Sequence, residues 1–324
     1  MIRQPAFWQH GRGGLAAAAL SPVAALVGRA TGRRVAQPGF HASVPVICCG
    51  NATVGGAGKT IVASDLAARL AARGLRVHIL TRGFGGAARG LVRVDRGQHR
   101  SAHVGDEPLL LAAIAPTWVS ADRAASARAA IAAGAQLLVM DDGMQNPGLC
   151  KTLSLLIIDG ATGFGNGRVL PAGPLREPVQ ACAARAGAAV LIGEDRTGAR
   201  ALLPPSLPVL AAALRPAPQI DALRGRRVLA FAGIGHPSKF FAMLAEAGVV
   251  VAGTAAFPDH HEYTEAEIER LIRHAASLDA VPVTTPKDHV RLGAAQAPLV
   301  TRIGVSLAWA DEASLDIMLA CAWQ

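Results

Sequence analysis

Short apolar runs bounded by glycine alternate with alanine- and leucine-rich stretches at helical spacing along most of the chain. Val44 to Cys49 is one such run, β-branched and long enough for a buried strand. A glycine-rich turn follows it, and then a helical segment to Arg73 that Gly74 closes. The same pattern predicts strands at Arg76 to Thr81, Thr117 to Ala121, Gln136 to Met140, Leu153 to Asp159, Ala188 to Gly193 and Pro208 to Leu214. Strands that alternate with helices need right-handed crossovers, so a parallel sheet covered on both faces is expected.

The composition shifts at Leu214-Arg215-Pro216-Ala217-Pro218, where a second, smaller α/β domain is expected to begin. Its strands are predicted at Arg227 to Ala232, Val249 to Gly253 and Val281 to Thr285, with a helix capped by Thr264 and Glu267 between the last two. The expected organisation is an N-terminal helical segment over residues 1–34, a larger domain over 35–215 and a smaller one over 216–324. At 324 residues, two domains fit the usual size range.

The first strand, turn and helix carry the clearest chemistry. In a glycine-rich turn between a strand and a helix, successive N–H groups point inward at a phosphate, and the helix start adds its positive dipole end. The candidate ATP site therefore runs from Thr53 through Val54, Gly55, Gly56, Ala57 and Gly58 to Lys59 and Thr60. Lys59 is expected to reach the terminal phosphates and Thr60 to hold Mg²⁺. Thr53 stands where the P-loop pattern asks for glycine. The chain has only four lysines, Lys59, Lys151, Lys239 and Lys287, among its 32 basic residues. A lysine at the one place that needs a compact ammonium is thus informative. The fold class that follows is a P-loop NTPase-like parallel sheet with helices on both faces, plus the smaller α/β domain.

The strand ending at Met140 runs into Asp141-Asp142-Gly143-Met144-Gln145, and a carboxylate at such a strand end can reach the Mg²⁺ shell. Asp106 and Glu107 start another helix, where acidic residues also complement the dipole. Gly163 to Arg168 and Pro171 to Pro178 form a long glycine- and proline-rich loop of the kind that usually carries function. Asp259 precedes His260 and His261, and a carboxylate beside an imidazole can fix its tautomer. No third ligand stands at zinc spacing near the two histidines.

The net charge is +9, and its placement matters more than its size. Arg3, Arg12, Arg29, Arg33 and Arg34 precede the first acidic residue, Asp65. Phe7 and Trp8 stand beside an apolar run from Gly14 to Gly28 that contains Pro22. A run of about 15 residues falls short of the ~20 needed to span a bilayer, so this segment is expected to lie on an anionic membrane surface. With one tyrosine in the chain, base-stacking platforms are not expected, and no nucleic-acid partner or obligate protein partner is predicted. Five cysteines without metal spacing suit a reducing, cytosolic compartment.

Eight ordered segments, GNATVGGAGKT, TRGFGG, VGDEP, DDGMQ, GFGNGRVLPAGPLREP, AGIGHPSKFF, FPDHHEYT and TTPKD, together resemble the tetraacyldisaccharide 4'-kinase family over nearly the whole chain. The resemblance implies transfer of the γ-phosphoryl of ATP to the 4'-hydroxyl of a tetraacyldisaccharide 1-phosphate, a lipid A precursor, at the cytoplasmic face of the bacterial inner membrane. It implies a general-base role for Asp106, supported by His260 and Asp259. It sets Arg123, Gln145 and Arg176 along the nucleotide side of the cleft, and Glu177 with Thr60, Asp141 and Asp142 around the metal. Pro286 stands where the family usually has Glu.

The alternative reading is a nucleotide-driven switch ATPase or GTPase without acceptor chemistry. Guanine specificity asks for Asn/Thr-Lys-x-Asp, and Thr285-Pro286-Lys287-Asp288 has the residues without the spacing. Val54 occupies the position of the signature lysine of partitioning ATPases.

Overall fold

The computed structural model describes residues 5–323; Arg3, counted above in the basic arm, lies outside them. In chain order the strands are β1 (Val46–Gly50), β2 (Val77–Thr81), β3 (Val92–Arg93), β4 (Thr117–Val119), β5 (Leu137–Asp141), β6 (Leu153–Asp159), β7 (Ala188–Ile192), β8 (Val209–Pro216), β9 (Arg227–Ala232), β10 (Val250–Ala256), β11 (Val281–Thr284), β12 (Thr301–Arg302) and β13 (Val305–Trp309). Nine of them form one sheet in the order β13-β8-β7-β6-β1-β5-β2-β4-β3, and four form a second in the order β10-β9-β11-β12.

The inner strands β1, β2, β5 and β7 of the large sheet are parallel and buried along their length, which is why β1 and β7 read as unbroken apolar runs rather than alternating ones. The sheet is nonetheless not parallel throughout. Both edges, β3 on β4 and β13 on β8, are antiparallel. The helix Lys59–Ala72 packs one face into the core through Val62, Ala63, Leu66 and Leu70, against Ile47, Leu137 and Val139 of the strands.

The chain crosses back at its end. The expected 216–324 unit separates as a sheet of its own only as far as β12, after which β13 pairs with β8. The helix Glu312–Trp323 then buries Leu315, Leu319 and Ala322 in the same core as Leu66 and Leu70. Trp309 Nε1 donates to Asp65 Oδ2 at 2.8 Å, and Arg69 grips Glu312 at 2.9 and 3.1 Å. This return covers what would otherwise be an open strand edge.

At the other end, the helix Gly14–Val35 has 22 residues with Pro22 inside it, longer than the 15-residue run taken from the sequence. Among the described residues it is the one helix long and apolar enough to cross a membrane. Its buried residues are Ala17 and Ala24, and Arg168 donates to the Ser21 hydroxyl, while Leu15 is 91% and Leu26 63% exposed. The segment ahead of it is tied down by Trp8 Nε1, which donates to the carbonyl of Pro171 at 3.0 Å, and by Asn166 Nδ2, which donates to the carbonyl of Phe7 at 2.7 Å.

Candidate active site

The glycine-rich turn leaves β1 and enters the helix Lys59–Ala72 through Gly58, whose φ of 87° is left-handed and whose missing Cβ would sit 2.7 Å from Ile192 Cδ1. Both conditions call for glycine. Thr53, by contrast, has no positive φ and forms an antiparallel bridge with Leu175. A β-branched residue suits that extended position, which accounts for the departure from the P-loop pattern. The Val54 N–H donates to the Pro174 carbonyl at 2.8 Å and the Arg176 N–H to the Ala52 carbonyl at 2.7 Å, so the long loop braces the turn from outside. Among the described residues, none of the amides from Gly55 to Thr60 donates to a protein acceptor. They are free to serve an anion.

The carboxylates meet the turn from the neighbouring strand, since β1 and β5 pair with Cys49 opposite Asp141. Thr60 Oγ1 donates to Asp141 Oδ2 at 3.2 Å. Burial, with Glu107 and Asp142 nearby, pushes the Asp141 carboxyl up to about 7. Lys59 Nζ lies 3.9 Å from Asp142 Oδ2 and 3.3 Å from the Gly55 carbonyl. Burial lowers its pKa, with Asp142 pulling the other way. Asp142 has a φ of 53°, an unusual conformation for a residue with a side chain, and aims its carboxylate at Arg176, which grips it at 2.9 and 3.1 Å.

Gln145 and Glu177 sit behind this pair. Gln145 Nε2 donates to the Asn51 carbonyl and to Glu177 Oε1, both at 2.9 Å, and Arg176 donates to Gln145 Oε1 at 3.3 Å. Glu177 is 1% exposed, and both its oxygens are held by Arg185 at 2.7 Å. Here it meets a guanidinium and an amide rather than the Thr60–Asp141 pair. Arg123 is 2% exposed and donates to the Thr81 and Ser120 carbonyls, its Nε unpartnered. Burial lowers it to about 10, and Asp141 and Asp142 oppose that shift.

A second cluster spans the two sheets. Asp106 opens the helix Asp106–Leu111 of the large domain, and its Oδ2 lies 2.8 Å from His260 Nδ1 in the loop after β10. A carboxylate only accepts, so Nδ1 carries the hydrogen and Nε2 is left open. Asp259 Oδ1 is 3.9 Å from Nε2, too far for a hydrogen bond, so Asp106 is the acid that orients this ring. His261 points elsewhere, stacking on Phe257 at 4.7 Å and pairing with Glu267 Oε2 at 3.3 Å.

The sequence reading missed two residues of this cluster. Arg291 donates through Nε to Asp106 Oδ1 at 3.0 Å and through an Nη to Oδ2 at 2.6 Å. Lys287 Nζ meets Glu107 Oε1 at 2.6 Å. Burial alone would raise the Asp106 carboxyl, but Arg291 and then His260 outweigh it and hold it below the usual carboxylate range. Neither carries a local signal, since the acids they meet lie 180 and 185 positions away along the chain. Pro286 opens the helix Pro286–His289 at its first position, with Thr285 as the cap. There a missing N–H costs nothing.

A phosphate-cradling turn alone suits a switch protein as well as an enzyme. Facing an acid of its own domain that is paired with an imidazole from a second one, it belongs to a P-loop kinase, the class this fold and site define. The profile of the family described as Tetraacyldisaccharide-1-P 4'-kinase matches residues 16–323. Similar curated proteins include the tetraacyldisaccharide 4'-kinases of Gluconacetobacter diazotrophicus, 58% identical over 98% of this chain and 97% of that one, and of Rhodospirillum centenum, 54% identical over 98% and 96%. The fold resembles the crystal structure of LpxK from Aquifex aeolicus in complex with ATP, with a TM-score of 0.76 and 26% identity over 95% of this chain and 99% of that one. The chain belongs to the tetraacyldisaccharide-1-P 4'-kinase family, kinases of lipid A biosynthesis.

Proposed function

We propose that this chain binds ATP along Thr53 to Thr60 and transfers its γ-phosphoryl group to the 4'-hydroxyl of a tetraacyldisaccharide 1-phosphate, with Asp106 as general base. The observation that carries the reading is the 2.8 Å contact between Asp106 and His260, made between two sheets. Glu107, the residue next to Asp106, acts electrostatically on both Lys59 and Asp141, which supports a link between this contact and the turn. The ATP complex of the related LpxK supports the choice of nucleotide.

The free amides of Gly55 to Thr60 and the Lys59 ammonium would hold the phosphate oxygens, and Arg176 would keep Asp142 aimed at Lys59. The Thr60 hydroxyl and the Asp141 carboxylate, 3.2 Å apart, are hard oxygen donors of the kind Mg²⁺ takes, so this pair fits Mg²⁺, although among the described residues no group of three acids, histidines or cysteines gathers to hold a metal. When bound, Mg²⁺ offsets charge on the phosphate oxygens. Asp106 takes the proton of the sugar hydroxyl. Phosphoryl transfer is loose, so the proton leaves late, when the attacking oxygen has become acidic and a weak base suffices. Placement then matters more than basicity. The second sheet excludes water, the competing acceptor.

The acceptor's acyl chains account for the exposed helix. Leaving the bilayer costs about 0.8 kcal/mol per CH₂, so the enzyme must approach the lipid. The helix Gly14–Val35 is attached lengthwise to the domain at Ala17 and Ala24, which suits a helix lying in the interface of the cytoplasmic face rather than one crossing the bilayer. Between it and the Arg168–Pro178 loop is a largely apolar groove of about 390 Å³, fit for part of an acyl chain, with Arg29 and Arg168 at its wall.

The test is phosphoryl transfer from γ-labelled ATP with and without the disaccharide lipid. The kinase reading predicts a labelled lipid product and little ATP consumption without acceptor; equal consumption in both conditions supports a switch ATPase instead.

A further inference from the structure

Arg291 is an enclosed cation of the cleft, its side chain 2% exposed, and nothing in the nucleotide site uses it. Its guanidinium donates to four oxygens: both of Asp106, the Gly233 carbonyl at 2.9 Å and Asp288 Oδ1 at 3.0 Å. Asp288 is itself immobilised. It is fully buried and accepts from Tyr263 at 2.9 Å, from Thr285 at 2.6 Å and from the Gly233 N–H at 2.9 Å. The fork is thus built into the small sheet, while the carboxylate it holds belongs to the large domain.

The pattern of donors also separates the two oxygens. Oδ2 accepts from His260 and Arg291, which occupies both its lone-pair directions. Oδ1 accepts from Arg291 Nε alone.

We propose that Arg291 is a positioning residue for the phosphoryl transfer: its fork fixes the Asp106 carboxylate across the domain cleft and leaves Oδ1 as the atom that receives the sugar hydroxyl proton. The proposal rests on the general-base reading of Asp106. A lysine would offer one ammonium at a point and no paired fork, so the geometry is specific to arginine. Asp106 loses its two cationic or hydrogen-bonding partners when the small sheet moves away, so closure and placement of the base are one event.

The other charged groups around Asp106 are Asp259 and His260 from the loop after β10, Lys287 and Asp288 from the helix Pro286–His289, and Glu107 beside it. Of these only His260 also bonds Asp106, because Lys287 is spent on Glu107. Without the guanidinium, burial is the main influence left on the carboxyl, which then binds its proton at higher pH.

The experiment uses the full chain with Arg291→Lys, Arg291→Met, Asp106→Asn and the Asp106→Asn/Arg291→Met double variant, and measures transfer to the disaccharide lipid in detergent micelles across pH. Arg291→Met is expected to lower kcat by ~10²-fold, with the KM for ATP within ~2-fold, and to move the acid limb of the pH profile upward by about one unit. Arg291→Lys, which keeps the charge and is the variant to rely on if the methionine form does not fold, is expected to lose ~10-fold. On the Asp106→Asn background, Arg291→Met should cost under ~3-fold further, since partners in one unit are not additive. Full turnover in Arg291→Lys, an unmoved acid limb in Arg291→Met, or an undiminished further loss in the double variant overturns the clamp. Near-normal turnover in Asp106→Asn alone removes the base reading beneath it, a result distinguishable from the other three.

Discussion

The two halves of this site are built in different ways. The phosphate turn draws on β1, the helix Lys59–Ala72 and the end of the neighbouring strand β5, all packed in one core. Its glycines and its Lys-Thr pair are consecutive, so the arrangement survives wherever that sheet folds. The Asp106 cluster joins residues 154 and 185 positions apart from two different sheets, and it exists only while those sheets are in contact. The proposed function therefore assigns nucleotide binding to one domain and phosphoryl transfer to both.

This contrast can be broken at either half. The largest expected effect is Lys59→Met, which removes a buried ammonium from the phosphate turn; kcat/KM for ATP should fall by ~10³-fold, with ATP affinity falling alongside turnover, measured by steady-state kinetics and nucleotide titration. Loss of turnover with ATP affinity untouched would move Lys59 to the transfer half. A smaller effect is expected at the helix Gly14–Val35, where Leu15→Asp with Leu26→Asp should reduce sedimentation with anionic vesicles by ~10-fold while the thermal midpoint stays put, because both side chains are exposed. Unchanged sedimentation would retire that helix as the membrane contact. The smallest is Lys287→Met, which breaks a half-exposed pair with Glu107 worth under ~1 kcal/mol and should lower turnover no more than ~5-fold, with ATP affinity unchanged. A drop in ATP affinity there would mean that the domains are coupled already at the nucleotide step.

The same contrast decided what was legible. Strands β6 and β9 lie where the apolar runs put them, and the turn from Gly55 to Thr60 could be read because its chemistry is contiguous. Asp141 and Asp142 followed from a strand end. Arg291 gave no such signal in an arginine-rich chain: its meaning comes from Asp106, which only the tertiary fold brings near. The return of β13 to β8 was hidden for a related reason, since antiparallel pairing over so long a separation leaves no local mark. Asp259 looked like the partner of its sequence neighbour, yet an adjacent residue in a turn with His260 at a φ of 61° points its carboxylate 3.9 Å away. The apolar run read from the sequence ended at Gly28, ahead of Arg29, whereas the helix carries on through Arg33 and Arg34 to Val35 with Pro22 inside it.

Single-turnover transfer by Asp106→Asn, started from preformed ATP complex and mixed with the disaccharide lipid, tests the central claim most directly. An acid placed by the second sheet to receive the hydroxyl proton predicts transfer slowed by ~10²-fold or more with ATP affinity within ~2-fold of the unaltered chain. Transfer at the original rate, or a matching collapse of ATP affinity, would contradict it.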